Sequence, residues 1–309
     1  MRVLGFGDNI VDRFLDRGLD YPGGNSVNVA VFAHRLGADA GYLGVFGDDE
    51  AGALLREAIA AEGVDVGRCV VRAGESGVST LRVEDGERTF LGWNGGGVTV
   101  RSPLELDDDL LAYAAGFDLV HSSVYSRSES QLPKLAGTGA LVSFDLSSED
   151  EFRTDAYLDL VAPHADLVLL SCSHLGLDET EALLARAVDR GASVALATRG
   201  TDGAVVTDGT LTVAAPARLV EDPATIVDTM GCGDAFLAGF VVSLLGSGWT
   251  RASPPSRDRL AAALAAGADA AYDQCFVEGA FGRARPSGPP VTLAAEPVAA
   301  TMATVEAHG

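Results

Sequence analysis

Asp228-Thr229-Met230-Gly231-Cys232-Gly233-Asp234-Ala235-Phe236-Leu237-Ala238-Gly239 is the stretch on which the reading of this chain turns. Two glycines bracket one residue, a carboxylate follows, and an apolar helix begins at once. Glycine permits backbone conformations that place successive N–H groups on one concave side. A helix start adds unpaired N–H groups and the positive end of its dipole. Together they form a cradle for an anion such as a phosphoryl group in transfer. Asp234 stands at its rim, where a carboxylate can take a proton from a hydroxyl. The pattern points to phosphoryl transfer to an alcohol, although Gly-x-Gly-Asp also occurs in ordinary turns.

The rest of the sequence narrows the chemistry. The 309 residues are 47% apolar and 21% charged, enough for a large core in one domain, with or without a small appendage. A net charge of -22 argues against nucleic acid or an anionic membrane as partner. Lys134 is the only lysine and lies outside any glycine-rich loop, which excludes a Walker A site. Phosphate handling must then rest on backbone amides, arginine and metal. Cys69, Cys172, Cys232 and Cys275 form no Cys-x-x-Cys pair and fit a reduced, cytoplasmic protein. The apolar run 235–245 is too short to span a bilayer.

Strand and helix patterns alternate. Strands are expected at 3–6, 41–46, 119–121, 140–145, 167–171 and 193–197, with helices at 26–36, 51–62, 154–162, 178–190, 234–245 and 257–273. Asp85-Gly86 and Asp208-Gly209 mark two hairpins. Repeated strand–helix units imply an α/β fold with a mainly parallel sheet flanked by helices on both faces. The early hairpin and strand material near 10–21 break the repeat and are expected to form a small β flap. Residues 285–309, rich in Pro, Ala and Gly, are expected to be at least partly a loose tail.

A second glycine-rich site, Gly23-Gly24-Asn25-Ser26-Val27-Asn28, opens the first helix. Asp8 and Asp12 flank the end of the first strand, where open α/β sheets bind ligands. Gly-Gly-x-x-x-Asn near the start, Gly47-Asp48-Asp49 after the second strand, and Asp-Thr-x-Gly-x-Gly-Asp-x-Phe near 230 occur in that order. This succession resembles the ribokinase-like sugar kinases, the PfkB carbohydrate kinase family, over residues 3–282. Within the family the chain is similar to the fructoselysine 6-kinases, through Gly7-Asp8-Asn9-x-Val11-Asp12, residues 26–31, residues 118–121, Phe144-Asp145 and residues 227–231.

The resemblance implies a three-layer ribokinase-like domain over 1–284, with a β lid from about 10–22 and 76–100. It implies transfer of the γ-phosphoryl of ATP, with Mg²⁺, to a hydroxyl of a ketose or a ketose–amino acid adduct. Asp234 would be the base and Gly231, Cys232 and Gly233 the anion hole. Asp8, Asp12, Gly24, Asn25 and Asn28 would hold sugar hydroxyls. Thr198, Arg199, Gly200 and Gly203 would form the nucleotide loop, and Asp228 and Thr229 would order the phosphate site. The Ala- and Gly-rich helix over 263–271 would either leave room for adenine or serve close helix packing. A kinase of ribose, fructose or a nucleoside, and a non-catalytic sensor of sugar or nucleotide, are the competing readings. A homodimer through the lid edge is the expected assembly.

Two departures stand out. The family's Asn-x-x-Glu metal motif is replaced by Ser171-Cys172-Ser173-His174-Leu175-Gly176-Leu177-Asp178-Glu179, leaving Glu179, or Asp178, as the metal candidate through water against a plain helix-start role for both. Cys232 stands where members often have alanine, and a thiol at a helix start is expected to react with thiol reagents.

Overall fold

The computed structural model describes residues 1–84 and 87–294, with the side chains of Glu84, Glu87 and Arg88 left aside. The turn expected at Asp85-Gly86 and the end of the expected tail, 295–309, lie outside the described residues.

Strands and helices follow in order as β1 (Arg2–Gly7), β2 (Ile10–Phe14), β3 (Leu19–Gly23), α1 (Asn25–Arg35), β4 (Asp39–Gly47), α2 (Glu50–Ala61), β5 (Val70–Arg72), β6 (Val78–Glu84), β7 (Glu87–Trp93), α3 (Gly97–Arg101), α4 (Asp108–Ala114), β8 (Leu119–Ser123), α5 (Leu132–Ala136), β9 (Leu141–Asp145), α6 (Asp155–Val161), β10 (Leu167–Ser171), α7 (Leu177–Asp189), β11 (Val194–Thr198), β12 (Ala204–Thr207), β13 (Thr212–Ala215), α8 (Cys232–Gly246), α9 (Arg257–Gln274) and β14 (Arg285–Pro286). The main sheet runs β13-β12-β11-β10-β9-β8-β1-β4-β5. Its strands are parallel from β11 to β5, with an antiparallel hairpin, β12–β13, on one edge.

Alternate residues of each strand enter opposite cores, as the two-residue repeat of a strand demands. Val3, Leu119, Leu141 and Leu167 meet α1, α8 and α9 on one face. Leu4, Val120, Val142 and Val168 meet α4 to α7 on the other. The architecture is therefore the expected α/β fold of three layers. Because β1 and β8 to β11 are parallel, their C-terminal ends, carrying Asp8, Ser123, Asp145, Ser171 and Thr198, lie along one edge of the sheet.

The strand material near 10–21 and the hairpin at 78–93 join in a second sheet, β14-β3-β2-β6-β7. The expected tail starts as a docked segment. β14 pairs with β3, the Ser287 N–H donates to Gly18 O at 3.0 Å, and the Ala294 N–H donates to Trp93 O at 2.8 Å. A buried Arg13–Asp20 pair underpins this edge, with Arg13 also donating to Pro289 O at 2.6 Å.

Short elements escaped the sequence reading: β5, with three residues at the sheet edge, and α3, α4 and α5, with five to seven each. A hydrophobic repeat needs about two turns to show itself. The aspartate run before α4 did carry a signal, since Asp107 caps Leu110 N–H at 2.9 Å.

Candidate active site

The site is assembled where α1 and α8 begin over the sheet. Gly5 makes this possible: a Cβ there would lie 2.1 Å from the carbonyl oxygen of Ser26, so α1 can lie against β1 only because the side chain is missing. The first turn of α1 is thus lowered onto the sheet edge. Asn25 and Asn28, three residues apart, share one face of that turn. Asn25 Nδ2 donates to Asp234 Oδ1 at 2.8 Å and Asn28 Nδ2 donates to Asp234 Oδ2 at 2.7 Å.

Asp234 belongs to the first turn of α8. Gly231 caps that helix at φ 76°, a left-handed conformation that glycine adopts without strain. Thr229 and Met230 N–H donate to Asp228 Oδ1 at 2.8 and 3.0 Å, and Gly279 N–H donates to Asp228 Oδ2 at 3.2 Å. Asp228 is buried, and its Oδ2 also lies 3.9 Å from Arg17 Nη1. The helix then opens with the N–H groups of Gly233 and Asp234, which have no carbonyl one turn earlier in the helix. A Cβ on Gly233 would meet nothing within 4 Å, and its φ is unexceptional. Nothing inside the described chain requires glycine there.

Burial pushes the Asp234 carboxyl well above the ordinary carboxylate range, opposed by the Asn28 amide and reinforced by the charges of Asp145 and Asp8. Asp145, at the end of β9, is pushed up to about 6 by burial, against the hydrogen bond from Ser147 N–H at 2.7 Å.

Asp8 is buried, and its Oδ1 accepts from Ser26 N–H and from the hydroxyls of Ser26, Ser123 and Ser126 at 2.7–3.1 Å. It therefore ties the start of α1 to the end of β8. Asp12 lies beside Gly23: a Cβ on Gly23 would lie 2.8 Å from Asp12 Oδ2 and 3.8 Å from Asn28 Oδ1. Asn28 Oδ1 is buried without a hydrogen-bond partner. Gly24, at φ 116°, lies against the backbone of Asn9. Asp12 and Gly23, on paired strands of the second sheet, thus lie beside Asn28 of α1.

Thr198 ends β11. Gly200 at φ 58° and Gly203 at φ 88° bend the chain back into β12. A Cβ on Gly203 would lie 2.1 Å from Ala215 O, so this turn is required by the fold itself. Arg199 is only 3.4 Å from Asp202, and its buried Nε has no partner. Glu179 reaches back to the Gly176 N–H at 3.1 Å, which closes the start of α7. Among the described residues no group of three or more His, Cys, Asp or Glu could hold a metal. This donor set does not fit a protein-built metal cage. The Ala- and Gly-rich helix packs closely, since a Cβ on Gly267 would lie 2.9 Å from Phe236 O.

Three residues at the centre were not singled out from sequence as site residues. His121 and Ser143 are register partners on β8 and β9, with His121 Nδ1 2.8 Å from Ser143 Oγ. His121 Nε2 lies 2.7 Å from Asn25 Oδ1, and Asn25 Nδ2 donates to Asp145 Oδ2 at 2.7 Å. Asp145 had an available signal, a carboxylate at the C-terminal end of a parallel strand.

Known proteins agree with this architecture. The pfkB family carbohydrate kinase profile matches residues 16–272. A fructosamine kinase of Bacillus subtilis is 37% identical over 287 residues, 93% of this chain and 95% of that protein. A fructoselysine 6-kinase of Escherichia coli is 34% identical over 236 residues, 76% and 86% of the two chains. The PfkB protein from Polaromonas superposes with a TM-score of 0.70 at 21% identity, covering 92% of this chain and 98% of that one. A Vibrio cholerae fructokinase solved with fructose, ADP and calcium gives 0.69 at 22%, covering 91% and 94%. The chain therefore belongs to the pfkB family of carbohydrate kinases and is an ATP-dependent sugar kinase.

Proposed function

We propose that the acceptor is a ketose or a ketose–amino acid adduct of the fructosamine type, with Asp234 as the base. The observation that carries the catalytic reading is the start of α8. There a helix-opening pair of N–H groups stands beside a carboxylate whose two oxygens are each held by an amide of α1. Asp12 and the unpartnered Asn28 Oδ1 accept from sugar hydroxyls, with Gly23 and Gly24 keeping the space between them open. Asp234 takes the proton as the hydroxyl oxygen meets the γ-phosphorus, and the Gly231–Gly233 backbone receives the charge on the transferring group. A raised carboxyl suits a proton acceptor for an alcohol. Thr198, Arg199, Gly200 and Gly203 form the nucleotide side on this reading, with Asp228 and Thr229 ordering the phosphate site. Mg²⁺ would be held by the nucleotide phosphates rather than by a protein cage, and would supply neutralising charge there. The adduct as acceptor is supported by the two relatives named above, whose names give fructosamine and fructoselysine.

Residues 1–284 act as one catalytic unit on this reading, with the second sheet as its lid. Phe90 and Leu91 on edge strand β7 are 59% and 40% exposed, which favours a homodimer through that edge. A cytoplasmic location is consistent with four cysteines and no disulfide. No described helix is long and apolar enough to cross a membrane.

The test is ADP release with ATP and Mg²⁺ over fructoselysine, fructose, ribose, fructose 1-phosphate and adenosine. Turnover on fructoselysine, lost by roughly 10²-fold or more in Asp234→Asn with sugar binding kept, is the expected result. Turnover on another sugar alone would replace the acceptor. Bound ATP with no turnover on any of them would favour a sensor.

A further inference from the structure

The Asn25 amide makes three contacts, and each constrains the next. Its nitrogen lies 2.7 Å from Asp145 Oδ2 and 2.8 Å from Asp234 Oδ1. Only the N–H₂ end can face two carboxylates, so the amide oxygen must face His121. Nε2 of His121 then carries the hydrogen, and Nδ1 must accept from the Ser143 hydroxyl. Burial pushes His121 down to about 3, so the imidazole is neutral at physiological pH and this one tautomer persists. The resulting chain, Ser143–His121–Asn25–Asp145/Asp234, joins β9, β8, α1 and α8. All its hydrogens are accounted for, and the sheet supplies its fixed end.

We propose that His121 and Asp145 are positioning residues of the phosphoryl-transfer site: His121 fixes the roll of the Asn25 amide, and through that amide Asp234 is held in one orientation beside a second buried carboxylate. This rests on the reading of Asp234 as the base. Asn25 accordingly serves the carboxylates, since both its N–H groups and its oxygen are engaged by protein.

The electrostatics follow from who faces whom. Asp234 is faced by Asn25 and Asn28 from α1, by Asp145 from β9 and by Asp8 just after β1. Asp145 is also faced by the Ser147 N–H and by Glu149. Among the described residues neither carboxylate has a cationic partner. Each negative charge therefore makes the other harder to form. Removing the charge at 145 lets Asp234 ionise at lower pH. Freeing the amide lets Asp234 rotate away from the acceptor hydroxyl, which harms the chemical step more than sugar binding.

The full chain is assayed as wild type, His121→Phe, His121→Gln, Asp145→Asn and Asp234→Asn, with thermal melts alongside. His121→Phe keeps an aromatic ring but has no donor, and is expected to lower kcat about tenfold or more while the acceptor KM moves less than about threefold. His121→Gln can place an N–H near the lost Nε2 and should recover part of that loss. Asp145→Asn should move the acid limb of the kcat/KM–pH profile to lower pH by about half a unit or more. Equal losses in both His121 variants with an unmoved acid limb in Asp145→Asn would reduce these residues to structural support and overturn the proposal. Wild-type kinetics in all three, with Asp234→Asn inactive, would overturn it while leaving the base in place. An active Asp234→Asn would overturn both. If His121→Phe fails to fold, His121→Gln and Asp145→Asn decide: a wild-type profile in both rejects the proposal.

Discussion

A Cβ added to Gly239 would lie 2.6 Å from the carbonyl oxygen of Ala266 and 3.0 Å from the Ala270 Cβ. Helices α8 and α9 therefore meet backbone to side chain at this point, and α8 is the helix that carries the anion cradle. Gly239→Ala must push the helices apart or bend one. The expected cost is about 1–3 kcal/mol of stability, as for other overpacked cores. A thermal melt and a urea titration check it; an unchanged midpoint would show that the contact can relax freely.

Gly233 sits two turns earlier in the same helix and predicts the opposite. A Cβ there meets nothing within 4 Å, and alanine favours helix over glycine by up to about 1 kcal/mol. Gly233→Ala should therefore melt at or above the wild-type temperature. Its methyl group nevertheless enters the space assigned to the transferring phosphoryl group. A fall in kcat of about tenfold or more with intact stability is the expected outcome. Full activity would move the phosphoryl group elsewhere.

The alternating units, and with them the parallel sheet, were legible because α1, α2, α7 and α9 are long enough to show a pattern and α8 reads as one continuous apolar run. The two glycine motifs were legible because glycine is costly inside an element unless something requires it. Which partner each side chain takes was not legible. Asp8, Asn25 and Asn28 stand in one short stretch of sequence and look alike as hydroxyl binders. In the structure Asp8 Oδ1 takes three serine hydroxyls, the Asn25 amide nitrogen lies on two carboxylates, and Asn28 Oδ1 is buried without a hydrogen-bond partner. His121 lies nearly a hundred residues from Asn25, and only strand register brings them together. Glu179 illustrates the reverse: a residue with two plausible uses is seen capping α7.

Cys232, the first residue of α8, has its Sγ 3.8 Å from that of Cys275 at the end of α9. A maleimide on Cys232 would fill the mouth of the cradle. Inactivation by N-ethylmaleimide, slowed by saturating ATP and absent in Cys232→Ala, is the expected behaviour. Cys275→Ser should remain sensitive, because Cys232 is still present. Complete modification of Cys232 by mass spectrometry with unchanged turnover would show that the sulfur stands outside the phosphate path.

His121 and Asp145 oppose one another in acid. His121 is held at about 3 in the folded chain, whereas an unfolded histidine titrates near ~6.5. Between those values the unfolded chain binds the extra proton, so stability falls as pH drops through that window. Asp145 titrates at about 6 when folded and near ~3.9 when unfolded. There the folded chain binds the extra proton, and stability rises as pH drops from about 6 toward about 4. His121→Phe removes the first contribution and leaves the second, so its melting temperature should fall less steeply than wild type between pH 6.5 and 4. Asp145→Asn leaves His121 opposed only by the raised carboxyl of Asp234 and should fall more steeply. Melting curves at half-unit steps read both slopes. Parallel curves for all three proteins would mean that neither group changes its proton affinity on folding.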